Sequence, residues 1–522
     1  MRKGSIALYL ALMLGVMLSL LWAALFSARR AGGRVVLGSA AEQGMFSLFS
    51  QYDRDLFDRF GILSLDGGYG GSALRLGSLQ EEAEEVVLTV CGSSREVGGS
   101  TNLMHLTPER GEVTGYTLLT DGQGAYLKQQ IGQVLPEKVG LSLLEYLKER
   151  VNAYKKELDS LDEQQESIDT KGIESEYQKL LEGDKGLEEG SSGDLLSCSG
   201  TSVGSVPQVM LCTYEETTLP AASGEERQLP ETAATVPSEN PIEVIRRLQK
   251  TGILGLVLPK DRTLSEGRIS QDRVSTRELQ QGMGIIPPES SDFVDGFLMR
   301  EYLMQFFTDF TESGDSDSQG LAYQVEYAIG KKNSDRENLK WVLLQILGVR
   351  ELSNFWYLYH DSVKKQEVDV AAEGICLLLH VPAARPLVAQ MLRLCWAFGE
   401  GIMDLRVLLQ GGKIPLVKDK DSWQLSLENL KELQGEVSEQ HSSQGGLDYQ
   451  MYLRLLLLKE SEDSVTDSVM DLMEHEIRKT EGKEFFRLDN CLTGMKICFR
   501  AKQEGLFQME AERYYDYSEQ GN

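Results

Sequence analysis

The pattern of apolar and polar positions opens on one long uncharged run. No charge occurs from Gly4 to Ala28, while Arg2 and Lys3 precede the run and Arg29, Arg30 and Arg34 follow it. About 20 apolar residues suffice for a helix to cross the hydrocarbon core, so the run is long enough to span, with Ile6, Leu10, Leu14, Leu18, Leu21, Trp22 and Phe26 as its anchoring side chains. It exceeds the apolar core of a signal peptide, and Phe26, Ser27 and Ala28 make a poor cleavage site, which favours an uncleaved anchor. Basic residues flank both ends, so charge hardly sets the direction. The few residues before the run favour a cytoplasmic start and an extracytoplasmic bulk. Pro386 to Gln410 is the next most apolar stretch, but it carries Arg393, Glu400, Asp404 and Arg406 and reads as a buried amphipathic helix.

Beyond the anchor, Met45, Phe46, Leu48, Phe49, Tyr52, Leu56 and Phe60 recur at helical spacing. This predicts an amphipathic stem, with a break at Gly32-Gly33 and an end at Gly61. Glu85–Cys91 and Gly115–Thr120 are rich in β-branched or aromatic residues and read as strands. Pro136–Leu181 is helical and highly charged, with Leu141, Leu144, Tyr146, Leu147 and Val151 on one side. Residues 183–240 are rich in Gly, Ser, Pro and acids and read as a linker, interrupted by a strand-like run at Gln208–Thr217. From Asn240 the pattern is mainly helical. Ser334-x-x-Glu337 and Ser464-x-x-Asp467 are helix-start signals, and Asp448–Lys459 is a further apolar helix. At the end of the chain, Ile497, Phe499 and Ala501 alternate with Cys498, Arg500 and Lys502. Phe507, Met509 and Ala511 alternate with Gln508 and Glu510, so a β-hairpin is predicted. Its apolar face needs a sheet, which the earlier strands supply, so the hairpin is expected to fold back on the membrane-proximal region.

These elements amount to a mainly helical α+β fold: a transmembrane helix, a membrane-proximal mixed sheet completed by the C-terminal hairpin, and a helical bundle. The implied divisions are an anchor over 1–30, a stem helix and β-rich region over 31–135, a charged helical segment over 136–182, a linker over 183–240, a bundle over 241–480 and the hairpin over 481–522. A chain of 522 residues with 41% hydrophobic residues can bury a sizeable core. Its formal net charge of -27 repels phosphate backbones and argues against nucleic-acid binding.

Candidate chemistry is sparse. Seven cysteines without a C-x-x-C pair make neither a disulfide scaffold nor a zinc ribbon. Cys376 and Cys395 read as buried thiols, and Cys491 and Cys498 as a pair that a bend would bring together. Gly200-Thr-Ser202-Val-Gly204 matches a nucleophile elbow but sits in the Gly-Ser linker, where chance explains it better than catalysis. Asp315, Asp317, Gln319 and Glu326 fall at positions 1, 3, 5 and 12 of a calcium-type loop, with Gly320 at the turn. Gln319 is a weaker ligand than an acid there, and Ala322 stands where a branched apolar residue is usual; a solvated acidic loop is the plainer reading. Glu400 and Asp404 share a helix face, and pairing with arginines such as Arg393 and Arg406 explains them better than acid–base work. The five histidines, His105, His360, His380, His441 and His475, lack ligand spacing. Nothing argues for an enzyme, and no cofactor is implied beyond calcium.

Several blocks carry a resemblance: KGSIALYLALML, LFSQYDRDLFDRFGIL, NPIEVIRRLQKTGILGLVLP, SDRENLKWVLLQIL, GGKIPLVK, GLDYQMYLRLLLL and FRLDNC. Together they resemble an uncharacterised family of membrane proteins from Gram-positive bacteria, associated with tight-adherence (Tad) pilus gene clusters. The N-terminus is also similar to the TadE and TadG pseudopilins, in which a basic tip precedes a glycine and a long apolar helix. Tyr9 stands where processed pilins carry a glutamate five residues after the cut glycine, so cleavage after Gly4 does not follow. The resemblance implies a non-enzymatic, single-pass accessory or minor-pilin-like component of a Tad-type apparatus. Its partners would be the bilayer, through residues 6–26, and other pilus or envelope assembly proteins. A membrane-tethered ligand-binding or sensory module is the alternative, and a cell-envelope hydrolase a more distant one.

Overall fold

The structure, a computed structural model, describes residues 3–91, 104–165, 241–259, 262–287, 296–312, 320–434, 445–504 and 507–517. In chain order the main elements are α1 (Lys3–Phe49), α2 (Arg54–Phe60), β1 (Leu65–Asp66), α3 (Leu76–Val90), β2 (Leu106–Leu118), α4 (Asp121–Val139) and α5 (Leu141–Gln165). Then come α6 (Pro241–Gln249), α7 (Ile253–Val257), α8 (Gly296–Phe306), α9 (Gln324–Gly330), α10 (Asp335–His360), α11 (Ser362–Leu378) and α12 (Arg385–Leu409). The chain ends with α13 (Tyr449–Leu457), α14 (Glu462–Ile477), β3 (Cys491–Gln503) and β4 (Phe507–Asp516). The chain divides into two compact units that interleave in sequence: residues 1–140, 270–302 and 466–522 in the first, 141–269 and 303–465 in the second. The strand-like run at Gln208–Thr217 lies outside the described residues, as does the whole of the linker over 183–240.

The first unit is built on α1. It runs for 47 residues without a break at Gly32-Gly33. Those glycines do not interrupt the helix; they let it lie close to the sheet. A Cβ on Gly33 would meet Gln503 Nε2 at 2.9 Å, one on Gly38 would meet Arg513 at 2.7 Å, and one on Gly44 would meet the Ala83 carbonyl oxygen at 2.8 Å. Met45, Leu48 and Phe49 are buried, whereas Phe46 points away and is exposed. The stem then stops. Asp53 caps a separate helix, α2, by accepting from Leu56 N, and Gly61, at φ 72°, ends it.

The sheet is antiparallel throughout rather than mixed: β3 pairs with β1 and β4 along one edge and with β2 along the other. The predicted alternation holds, with Met495, Ile497, Phe499 and Ala501 buried beside Met509 and Ala511 of β4 and packed with Leu37, Ala40 and Ala41 of α1. Gly115–Leu118 is indeed strand, the end of a longer β2. Glu85–Cys91, by contrast, is helix: it belongs to α3, where Leu79, Ala83 and Val87 form a buried stripe four residues apart. That stripe packs on α1, and tertiary burial at helical spacing overrides the β-branched content. Cys491 and Cys498 lie on the one strand β3, so no bend joins them. At ~3.4 Å per residue they are roughly 24 Å apart, and both thiols are free.

The second unit is helical. Its centre is α12, which buries nearly every residue from Val388 to Leu409 against α10 and α11. The charged run at 385–409 is thus a buried core helix of the second unit, as its pattern predicts. Ser334 caps α10 by accepting from Glu337 N, and Asp448 caps α13 by accepting from Met451 N. The cap of α14 is Ser461, whose Oγ accepts from Ser464 N at 3.3 Å; Ser464 itself already lies inside the helix. Gly140, at φ 88°, separates α4 from α5, so the charged region is two helices up to Gln165.

The close approach of Gly44 to α3 makes a prediction. Gly44→Ala gains roughly 1 kcal/mol of helix propensity but pushes a methyl into a backbone carbonyl, which costs about 1–3 kcal/mol. Thermal unfolding should show a net loss of stability. Gly15→Ala, with nothing within 4 Å, should show none.

Candidate functional site

Three places gather the chemistry. The first is where α1 leaves its apolar run. Every large apolar side chain from Leu8 to Leu25 is exposed, including Leu10, Leu14, Leu18, Leu21 and Trp22. Ile6 lies in the same helix. This is the one helix among the described residues long and apolar enough to cross a membrane. At Phe26 the environment changes. Trp22 and Phe26 stack at 5.8 Å, and Phe26 meets Phe507 of β4 edge-on at 5.1 Å. The Arg30 guanidinium lies 5.4 Å from the Phe507 ring centre. Arg29 pairs with Glu504 at 2.6 Å, and its carbonyl accepts from Gln503 Nε2 at 3.1 Å. The β3–β4 hairpin is therefore fastened to the first turns of α1 beyond the apolar run. The sequence showed the anchor and the hairpin separately, but nothing in it pointed to Phe507 as the ring that joins them.

The second place is Glu326, in the second unit. Asp315, Asp317 and Gln319 lie outside the described residues, so Glu326 is the one member of the calcium-loop set whose geometry is described. It does not face water but is fully buried on α9. Its Oε1 accepts from Phe310 N at 2.9 Å and from Tyr449 Oη at 2.8 Å, while its Oε2 has no partner. Burial, reinforced by the nearby Asp309 carboxylate, pushes its pKa up to about 8, against the pull of those two hydrogen bonds. Near neutral pH the group carries its proton. Asp309 is also buried, but it accepts from Thr311 N, Thr311 Oγ1, Glu312 N and Gln450 Nε2. The nearer end of the acidic loop is held by Asp335, which accepts from Ala322 N at 2.9 Å and Tyr323 N at 3.1 Å.

The third place is the Glu400–Asp404 pair of α12. The two carboxylates do share a face, but neither of the expected arginines meets them. Arg393 reaches Asp369, and Arg406 donates to the carbonyls of Leu256 and Leu433. The partners are Arg350 of α10, 2.9 Å from Asp404 Oδ2, and Lys418, which contacts Glu400 and lies 2.6 Å from Asp404 Oδ1. Glu400 also accepts from Gln424 N at 2.9 Å and Leu425 N at 2.7 Å. Asn354 donates to Asp404, and Arg350 donates to the Pro415 and Leu416 carbonyls and to Tyr452 Oη. Burial pushes the Asp404 pKa up, but Arg350 and Lys418 outweigh it and hold the carboxyl below its ordinary value. Burial and the Asp404 charge keep Glu400 above its own, although Lys418 opposes them. Two cations and two anions thus form a closed network that clasps the loop after α12 onto α10 and α13. A general acid or base needs a lone pair open to substrate; here they are already engaged. Arg350 was legible only as a lone cation on an apolar helix, and Lys418 only as part of the GGKIPLVK block.

The elbow-like Gly200–Gly204 lies outside the described residues. Of the histidines, His475 is half-buried, and desolvation lowers its pKa to about 4. Among the described residues, no three His, Cys, Asp or Glu side chains converge to hold a metal.

Fold and site together define a class: an α+β protein on a single apolar N-terminal helix compatible with a membrane anchor, with a small antiparallel sheet and a larger helical unit. Residues 231–503, just over half of the 522-residue chain, match a family of unknown function, DUF5702, and the chain belongs to it. No curated protein and no solved structure matches the chain.

Both buried acid sites are testable. Lys418→Met leaves Glu400 without its cation and should destabilise the protein by about 3–5 kcal/mol, read as a lowered urea midpoint. At Glu326 the folded pKa lies above the unfolded value of 4.5, so its stabilising contribution is present below pH ~4.5 and is lost as pH rises towards 8. Glu326→Gln stays neutral and should remove up to ~1.4 kcal/mol per pH unit of that decline, measured by urea unfolding of detergent-solubilised protein from pH 5 to 9.

Proposed function

We propose that this protein is a non-enzymatic, single-pass membrane protein with its folded units outside the cytoplasm. It serves as an accessory or minor-pilin-like component of a Tad-type pilus or secretion apparatus. The observation that carries the reading is the double life of α1. Its first half is apolar and bare of protein, and its second half, on the same unbroken helix, is a core element of the first unit. A subunit built this way is held rigidly at the membrane. Leaving the bilayer would require its bare half to pack against other apolar helices, since hydrocarbon and a helix bundle are the two surroundings that satisfy it. The blocks that resemble the Tad-associated family supply the setting, and the acidic surface suits a soluble assembly partner.

Protease added to intact cells should cleave both folded units while leaving residues 6–26 with the membrane, and deleting the gene should impair pilus assembly and surface adhesion. Units protected until the cells are lysed would reverse the topology. Unchanged pili and adhesion would remove the pilus role. A second reading is a membrane-tethered calcium-binding module, in which the ion would displace the proton that Glu326 carries and use its buried, unpartnered Oε2. Calorimetry of the detergent-solubilised protein with calcium decides it, because no heat and no thermal shift would end that reading.

A further inference from the structure

The apolar run and the hairpin bound to its end have a joint consequence for the lipid surface. At ~1.5 Å per residue, residues 6–26 of a straight helix extend roughly 31 Å, close to the ~30 Å of a hydrocarbon core. Phe26 then marks the edge of the hydrocarbon, and Arg29 and Arg30 stand in the headgroup layer. Phe507 lies beside Phe26 with ring centroids 5.1 Å apart, so it is at the same depth. Aromatic rings are favoured at that depth, and arginines just outside it reach phosphates.

We propose that the membrane-facing end of the sheet, at Phe507 together with Arg30 and Arg34, is a docking surface for phospholipid headgroups. The first unit is then seated on the bilayer surface instead of standing off on a stalk. This rests on the anchor reading of α1. The charges near the surface divide the work. Arg29 is neutralised by Glu504. Arg30 is half-buried and forms no ion pair among the described residues, and Arg34 is exposed. Arg30 and Arg34 are therefore the cations open to lipid phosphate. The Phe507 ring, half-buried against Phe26, presents its remaining surface at the hydrocarbon edge.

The full chain, reconstituted in phosphatidylcholine–phosphatidylglycerol vesicles containing a lipid with a diazirine at the depth of the glycerol, tests this by mapping cross-links with mass spectrometry. Two separate labelled regions are expected, α1 and the start of β4 from Phe507. Phe507→Glu should reduce β4 labelling at least fivefold, with circular dichroism and α1 labelling unchanged, whereas Phe507→Leu should keep it. Arg30→Gln should lower labelling of β4 in vesicles containing phosphatidylglycerol. Labelling of α1 alone in the wild-type protein would overturn the docking surface and leave the anchor standing. No labelling of α1 would remove the anchor, and the docking surface with it.

Discussion

If α1 anchors the protein as proposed, one backbone has to satisfy two solvents. In hydrocarbon, every peptide group needs a partner within the segment, which a helix provides; in water, the same helix must bury a face against something. α1 meets both demands by changing composition along its length and not by changing conformation. From Ile6 to Phe26 it is uncharged and almost wholly apolar. From Gly33 onward, glycines and alanines turn one face into a seat for β3, β4 and α3. The change of surroundings takes about two turns, and in those turns Phe507, Glu504 and Gln503 are fastened to Phe26 and Arg29. The hairpin, last in the chain, completes the sheet laid against the helix that is first. The fold of the first unit therefore depends on the second half of α1, which continues without a break from the apolar run.

The second unit meets a different difficulty, acids inside a helical core, and resolves it in two ways. Glu400 and Asp404 sit with Lys418 and Arg350, and Gln424 N, Leu425 N and Asn354 also donate to the acids. Such a network contributes little net stability over an apolar core of the same volume, but removing one member strands a buried charge. It also dictates where the loop after α12 lies, since Arg350 and Glu400 bind that loop's backbone and Lys418 belongs to it. Glu326 has no cation beside it and stays neutral by keeping its proton. Asp404 is therefore held below its ordinary pKa by its cations, whereas burial raises both Glu400 and Glu326.

Much of this was legible in the chain, and what was not failed for identifiable reasons. The long apolar N-terminal helix was readable because an uncharged run of that length suits hydrocarbon and is rare on the surface of a water-soluble fold. The hairpin was readable because Ile497, Phe499, Ala501, Met509 and Ala511 keep strict alternation. Glu85–Cys91 misleads because its β-branched residues suggest a strand. The helical stripe of Leu79, Ala83 and Val87 begins upstream of that window. Gly32-Gly33 reads as a break because propensity alone cannot tell a flexible glycine from one that makes room for a neighbour. The partners of Glu400 and Asp404 were out of reach. Arg393 and Arg406 are near in sequence, but Arg350 lies two helices away and Lys418 in a loop, and only the tertiary fold brings them in.

The central claim is that α1 is one rigid helix from the bilayer into the first unit. Spin labels at Val16 and Phe46, both exposed, test it most directly. The full chain would be reconstituted in lipid nanodiscs, with cysteines other than the buried Cys91, Cys376, Cys395 and Cys491 replaced by serine. Thirty residues of continuous helix at ~1.5 Å each predict a single narrow distance distribution near 45 Å by pulsed electron paramagnetic resonance. A broad distribution, or one centred well below that value, would mean that the helix bends or breaks between membrane and sheet, and would contradict the account.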